Sequence, residues 1–220
     1  MRTLLIVFSL VFPLLACAEG NSESSSYKEG QHYKVLDAAV RTSDPSKIEV
    51  TEVFWYGCGH CFKFESIIEP WKDKLPSDVE FEASPAMWPV RRPGVPANWM
   101  EVHARAFYIA KALGVLDKMH KPLFDALNVD KKLLKNAEEV AELFSANGVE
   151  KEKVLKMFDS FGITSQVKQA DSRAKGYRIS GTPEMVVDGK YKVSARMAGS
   201  QAEMLKVVDF LIKKIRSERS

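Results

Sequence analysis

Cysteine is scarce: the 220 residues contain three, too few for the disulfide framework that holds small stapled domains together. Histidine is almost as sparse, at four, and no second close Cys/His pair joins Cys58 and Cys61 to complete a tetrahedral zinc site. Long basic blocks are missing as well. The 32 basic and 29 acidic residues are scattered, for a net charge of +3, so nothing tracks a phosphate backbone and nucleic acid is not an expected partner. No metal and no cofactor are expected. What is present is an ordinary globular composition, 45% apolar and 28% charged, which excludes a wholly disordered or collagen-like chain. The length suits one domain with a sizeable core, or one domain carrying an insertion.

The N-terminus is a targeting segment, to be kept out of the fold argument. Arg2 supplies a positive start, and Leu4 to Leu15 form an apolar run too short to span a bilayer as a stable helix. Its end reads in two ways. Leu14-Leu15-Ala16-Cys17 resembles a lipobox, with residues 1–16 as signal peptide and Cys17 as the lipid attachment point; alternatively, Ala16-Cys17-Ala18 is a small-x-small cleavage site. The lipobox is preferred because residues 17–26 are mostly Ser, Glu, Gly and Asn, a flexible tether that buries nothing. The expectation is a protein exported to an oxidising compartment, with anchoring through Cys17 on the lipobox reading.

Export leaves one cysteine pair in an oxidising compartment, Cys58 and Cys61. Closing so short a loop removes little entropy from the unfolded chain, so the pair is no structural staple. It sits where the pattern changes. Lys47 to Tyr56 reads as a buried strand with Ile48, Val50, Phe54 and Tyr56 on one face and Val53 and Trp55 on the other. From Cys58 to Lys74 the spacing of Phe64, Ile67, Ile68 and Trp71 is helical, with a kink expected at Pro70. Val79 to Ala83 is a second strand. Helical stretches follow around 99–110, 116–127, 133–144 and 154–158, then 167–177. Glu184 to Val187, a turn at Asp188-Gly189, and Tyr191 to Ala195 form a hairpin, and Ala202 to Ile215 closes the chain as an amphipathic helix. The expected organisation is α/β: residues 27–96 and 165–220 form one domain, interrupted by a helical insertion over 97–164.

Placed at a helix start, Cys58 meets unpaired N–H groups and the positive end of the macrodipole, which favour the thiolate and make it the nucleophile. Cys61 lies one turn on and faces the same way, as the resolving thiol. His60 adds positive or hydrogen-bonding character. Glu52 shares strand parity with Phe54 and Tyr56; buried there, its carboxyl would be held protonated and could exchange a proton with Cys61. A solvent-open strand edge is the other reading of Glu52. Gly181-Thr182-Pro183 begins a strand, and an X–Pro bond that is cis would turn its backbone toward a neighbouring site.

These residues resemble the DsbA family of disulfide oxidoreductases, through Glu52 to Cys61, Phe64-Glu65, the helical insert, and Gly181-Thr182-Pro183 before Met185-Val186-Val187. The resemblance covers about Tyr27 to Ile215. It implies a thioredoxin-like fold and introduction of disulfides into exported proteins. Cys58 and Cys61 match the redox pair, Pro183 the cis-proline, and Glu52 and Glu65 the acidic residues near the site. The implied partners are reduced or unfolded exported polypeptides and a quinone-linked membrane reoxidant of DsbB type. Gly59 stands where proline is typical and Thr182 where valine is common, a combination similar to protein disulfide isomerases. Both are expected to make a weaker oxidant, with isomerase or reductase activity as the alternative. A non-enzymatic holdase using an apolar groove near Trp55, Met87, Trp88 and Thr182 is the other alternative. His103 and His120 are expected to be surface or helix-packing residues.

Overall fold

The computed structural model describes residues 27–220; the signal segment, Cys17 and the whole of the expected tether lie outside the described residues. Strand β1 is Lys34–Val35, β2 is Ile48–Phe54 and β3 is Val79–Pro85, while β4 and β5 are Glu184–Val187 and Tyr191–Ser194. They form one sheet in the order β1-β5-β4-β2-β3. β2 runs parallel to β3 and antiparallel to β4, so it is a central strand, and every one of its residues is buried. That explains its near-continuous β-branched and aromatic sequence.

Alternation along β2 sends its side chains to two different cores. Ile48 and Val50 pack with Phe64 and Ile68 of helix α1, Gly59–Lys72, and with Leu211 and Ile212 of helix α8, Gln201–Arg219, which follows the single-turn α7, Ala195–Ala198. Val53 faces the other way, onto Ala174 and Tyr177 at the end of helix α6, Phe161–Gly176. On that side the buried Glu49 meets Arg173, whose guanidinium also bonds Thr51 (3.2 Å) and the Tyr177 hydroxyl (2.8 Å). A buried carboxylate is tolerable when paired and hydrogen-bonded in this way.

Between β3 and α6 lie helices α2 (Trp99–Ala112), α3 (Leu116–Asn128), α4 (Ala137–Ala146) and α5 (Lys151–Phe158). Their apolar faces close on one another and on Phe54, Tyr56 and Cys61, so the top of the sheet and the insert share a core. Four details differ from the sequence pattern. β1 has two residues, too few to show a period. α4 starts at Ala137, not Leu133, because Leu134 takes a positive φ of 47° and the Asn136 side chain caps the helix at Glu139 N–H. α6 starts at Phe161 behind a Ser160 cap, so residues 164 and 165 fall within one helix. α1 runs through Pro70 and ends two residues later.

Candidate active site

The turn between β2 and α1 is built by three contacts. Cys58 N–H bonds the Trp55 carbonyl at 2.9 Å, and Phe62 N–H bonds the Cys58 carbonyl at 3.0 Å, which begins the helix. Asn128, at the end of α3, donates its Nδ2 to the Tyr56 carbonyl at 2.8 Å, fastening the insert to the turn. Glycine is required at position 57: a Cβ there would lie 2.4 Å from the Trp55 ring. Trp55 is held in turn by a 2.9 Å bond from its Nε1 to Nδ1 of the buried His103. His103 is therefore a packing residue, and burial lowers its pKa to about 4, keeping it neutral and able to accept this bond.

Cys58 occupies the N-cap position of α1 with extended backbone (φ −88°, ψ 113°), and the two thiols are free. They have different surroundings. Cys58 is half-buried and Cys61 fully buried. The hydrogen bond from Cys61 is the main cause that lowers Cys58 to a pKa of about 5; burial opposes it, while the Thr182 side chain and the N–H groups of Cys61 and His60 assist. Burial, the hydrogen bond to Cys58 and the Glu52 charge push Cys61 far the other way. One thiol of the pair is thus ionised at neutral pH and its neighbour is not.

Thr182-Pro183 closes the site from the sheet side. The peptide bond is cis, and the Thr182 carbonyl accepts from Cys58 Sγ at 3.2 Å. That bond uses the Cys58 proton and so holds the thiol form, whereas the Thr182 side chain acts the other way and lowers the Cys58 pKa. His60 contributes through its backbone; its ring is exposed, and its carbonyl accepts from Gln201 Nε2 at 2.8 Å. Gly59 is exposed, and a Cβ there would approach nothing nearer than Asn128 Oδ1 at 3.9 Å.

Glu52 lies inside the sheet and not on an edge: it is 3% exposed, with Ala83 and Met185 beside it on the flanking strands. Its Oε1 has no hydrogen-bond partner among the described residues. Burial, then the nearby Glu65 charge, raises its pKa well above the ordinary carboxylate value. Glu65, on α1, meets Nε2 of His120 at 3.2 Å, and His120 Nδ1 lies 2.8 Å from the Tyr56 hydroxyl. His120 is the residue sequence reasoning missed. Its helix lies far along the chain, and its neighbours gave it an ordinary helix-packing pattern. Of the apolar set near the site, Trp55 and Met87 are half-buried, while Trp88 is exposed.

A thioredoxin-type sheet interrupted by helices, with a low-pKa thiol at the N-cap of α1 and a buried thiol one turn on, defines a dithiol–disulfide oxidoreductase. Comparison with known proteins narrows the class. The family model described as "DSBA-like thioredoxin domain" matches residues 49–206. The thiol:disulfide interchange protein DsbA of Pseudomonas aeruginosa is 39% identical over 196 residues, covering 89% of each chain. That of Azotobacter vinelandii is 40% identical over 190 residues, 86% of this chain and 85% of the relative. The crystal structure of Pseudomonas aeruginosa DsbA superposes with a TM-score of 0.78 at 39% identity, over 88% of this chain and 96% of that one. The chain belongs to the DsbA-like thioredoxin family and is a thiol:disulfide oxidoreductase.

Proposed function

We propose that Cys58 carries the exchange and Cys61 resolves it, with Glu52 handling the Cys61 proton, in a protein that oxidises exported polypeptides in the periplasm. The opposite displacement of the two thiols is the observation that carries this reading. In the oxidising direction a substrate thiolate attacks Cys58 Sγ of the disulfide, the Cys58–Cys61 bond breaks, and Cys61 leaves with the electron pair. Protonated Glu52 supplies a proton to it. A second thiolate of the substrate then attacks its own sulfur in the mixed disulfide, and Cys58 leaves as a thiolate. The substrate has lost two electrons and the protein has gained them. Only the reduced form has a thiolate to stabilise, so a low Cys58 pKa makes the disulfide a better oxidant.

Reoxidation is assigned to a quinone-linked membrane protein of DsbB type. Thr182, Pro183 and the exposed Gly59-His60 edge form the docking rim for the substrate backbone, and Glu65 acts through Glu52. Cys17 is proposed to carry lipid; a diacylated terminus, at ~0.8 kcal/mol per buried methylene, would hold the protein on a membrane. Trapping tests the division of labour. Cys61→Ser should accumulate mixed disulfides with reducible polypeptides because nothing resolves them, whereas Cys58→Ser should trap none. Equal trapping by the two variants would overturn the assignment. Activity in insulin reduction separates the enzyme from a holdase, which needs neither cysteine.

A further inference from the structure

A groove of about 1010 Å³ opens between α1, β3 and the insert, and Glu52, Glu65 and His120 all line it. Tyr56 fixes how His120 is used. Burial raises the Tyr56 pKa well above its ordinary value, so its hydroxyl keeps its proton and donates to Nδ1 across 2.8 Å. With Nδ1 accepting, the ring directs its Nε2–H at Glu65 Oε2, 3.2 Å away. Tyr56, His120 and Glu65 therefore form a directed chain, O–H to Nδ1 and Nε2–H to carboxylate, along the wall beside the unpartnered Oε1 of Glu52.

The other charges around Glu52 are engaged elsewhere among the described residues. On α1, Lys72 pairs with Glu69 at 2.6 Å. Lys111 of α2 pairs with Glu82 of β3 at 2.9 Å, and Lys121 of α3 pairs with Asp125. Glu80 and Asp117 complete the charged lining, and Cys58 and Cys61 face Glu52 from the start of α1. His120 is the basic side chain that meets Glu65, and Glu65 is the charge with the largest influence on Glu52.

We propose that His120 is a positioning residue for the Cys61 half of the exchange: by holding and hydrogen-bonding the Glu65 carboxylate, it sets the pH at which Glu52 accepts the Cys61 proton. This rests on the reading of Glu52 as the group that exchanges a proton with Cys61. The step at issue is resolution of a mixed disulfide by Cys61, in the reducing direction. Cys61 gives its proton to ionised Glu52, its sulfur attacks Cys58 in a mixed disulfide, the bond from Cys58 to the departing sulfur breaks, and that sulfur leaves with the electron pair. Without His120 the Glu65 charge is less quenched, Glu52 holds its proton to higher pH, and resolution is delayed to higher pH.

The reduced protein is mixed with oxidised glutathione, and the first-order step that follows formation of the Cys58–glutathione disulfide is read by quenched flow across pH. His120→Gln should move the midpoint of that step up by ~0.5 to 1 unit, a ~3- to 10-fold loss of rate below the midpoint. Glu65→Gln should move it down, and His120→Gln in the Glu65→Gln background should add nothing. The Cys58 thiolate titration should stay in place throughout. An unmoved midpoint in His120→Gln with only a lower Tm, or a His120 effect that persists without Glu65, overturns the proposal. If His120→Gln does not fold, Glu65→Gln decides, since a midpoint that fails to fall refutes the link. Glu52→Gln separates the two levels: a pH profile unchanged by it refutes the Glu52 reading itself.

Discussion

Replacing Thr182 with valine removes the side-chain hydroxyl that helps to lower the Cys58 pKa and leaves the carbonyl that faces the sulfur. A fall of the Cys58 pKa from 9.0 to about 5 corresponds to at most ~5 kcal/mol of preference for the thiolate, less what solvent screens at a half-buried sulfur. A hydrogen bond to a charged group contributes ~1.5 to 3 kcal/mol; solvent at the half-buried sulfur reduces this to ~1 to 1.5 kcal/mol. Thr182→Val should therefore raise the Cys58 pKa by about one unit, read from the ultraviolet absorbance of the thiolate as pH is varied. At neutral pH the reduced form loses the same free energy. The disulfide should become less oxidising by ~20 to 30 mV, since 30 mV is about 1.4 kcal/mol for two electrons, measured by equilibration with glutathione. A Cys58 pKa that stays put or falls, or a more oxidising disulfide, would refute the argument that the Thr182 hydroxyl serves the thiolate.

Glu52→Gln should stabilise the protein increasingly as pH rises: the folded-state pKa is raised, so above the unfolded value of about 4.5 only the unfolded parent ionises and its stability is lost progressively. Melting both proteins across pH checks this, and a Tm gap that is constant with pH contradicts it. For the reduced protein the Cys58 sign is opposite. Its depressed pKa gives stability that is fully present above the unfolded value near 9 and is lost as pH falls to about 5, so its Tm relative to the oxidised form should decline over that window. Gly57→Ala should cost ~1 to 3 kcal/mol through the clash with the Trp55 ring, seen as a lower denaturant midpoint at unchanged slope. Mass spectrometry of the mature N-terminus should find diacylated Cys17; a free terminus at Glu19 refutes the anchor and leaves the redox chemistry untouched.

The redox pair was legible in the sequence because its chemistry is local. A strand pattern that turns helical at Cys58 fixes both the cap position and the one-turn spacing to Cys61, and the structure has that arrangement. Glu52 was half legible. Parity gave its face, but whether that face lay inside the sheet depended on β4 returning from far along the chain to pair beside β2. Once β4 is in place, Glu52 cannot be an edge residue. Thr182 was identified as a neighbour of the sulfurs, yet the sign of its effect depends on where its hydroxyl points, which no spacing encodes. His120 was illegible as a site residue because its partners, Tyr56 and Glu65, come from the β2–α1 segment while it sits in the insert. Long-range polar contacts of this kind leave no periodic trace, whereas the apolar faces of α2, α3 and α8 do.

In the proposed mechanism two thiols one helical turn apart are held in opposite protonation states, and Cys58 alone meets the substrate. Timed alkylation of the reduced protein with iodoacetamide across pH, mapped by peptide mass spectrometry, tests it most directly. Cys58 should be modified with a midpoint near pH 5, while Cys61 stays unmodified throughout the neutral range. Modification of Cys61 at a comparable rate, or a Cys58 midpoint near the unperturbed value of 9.0, would overturn that mechanism.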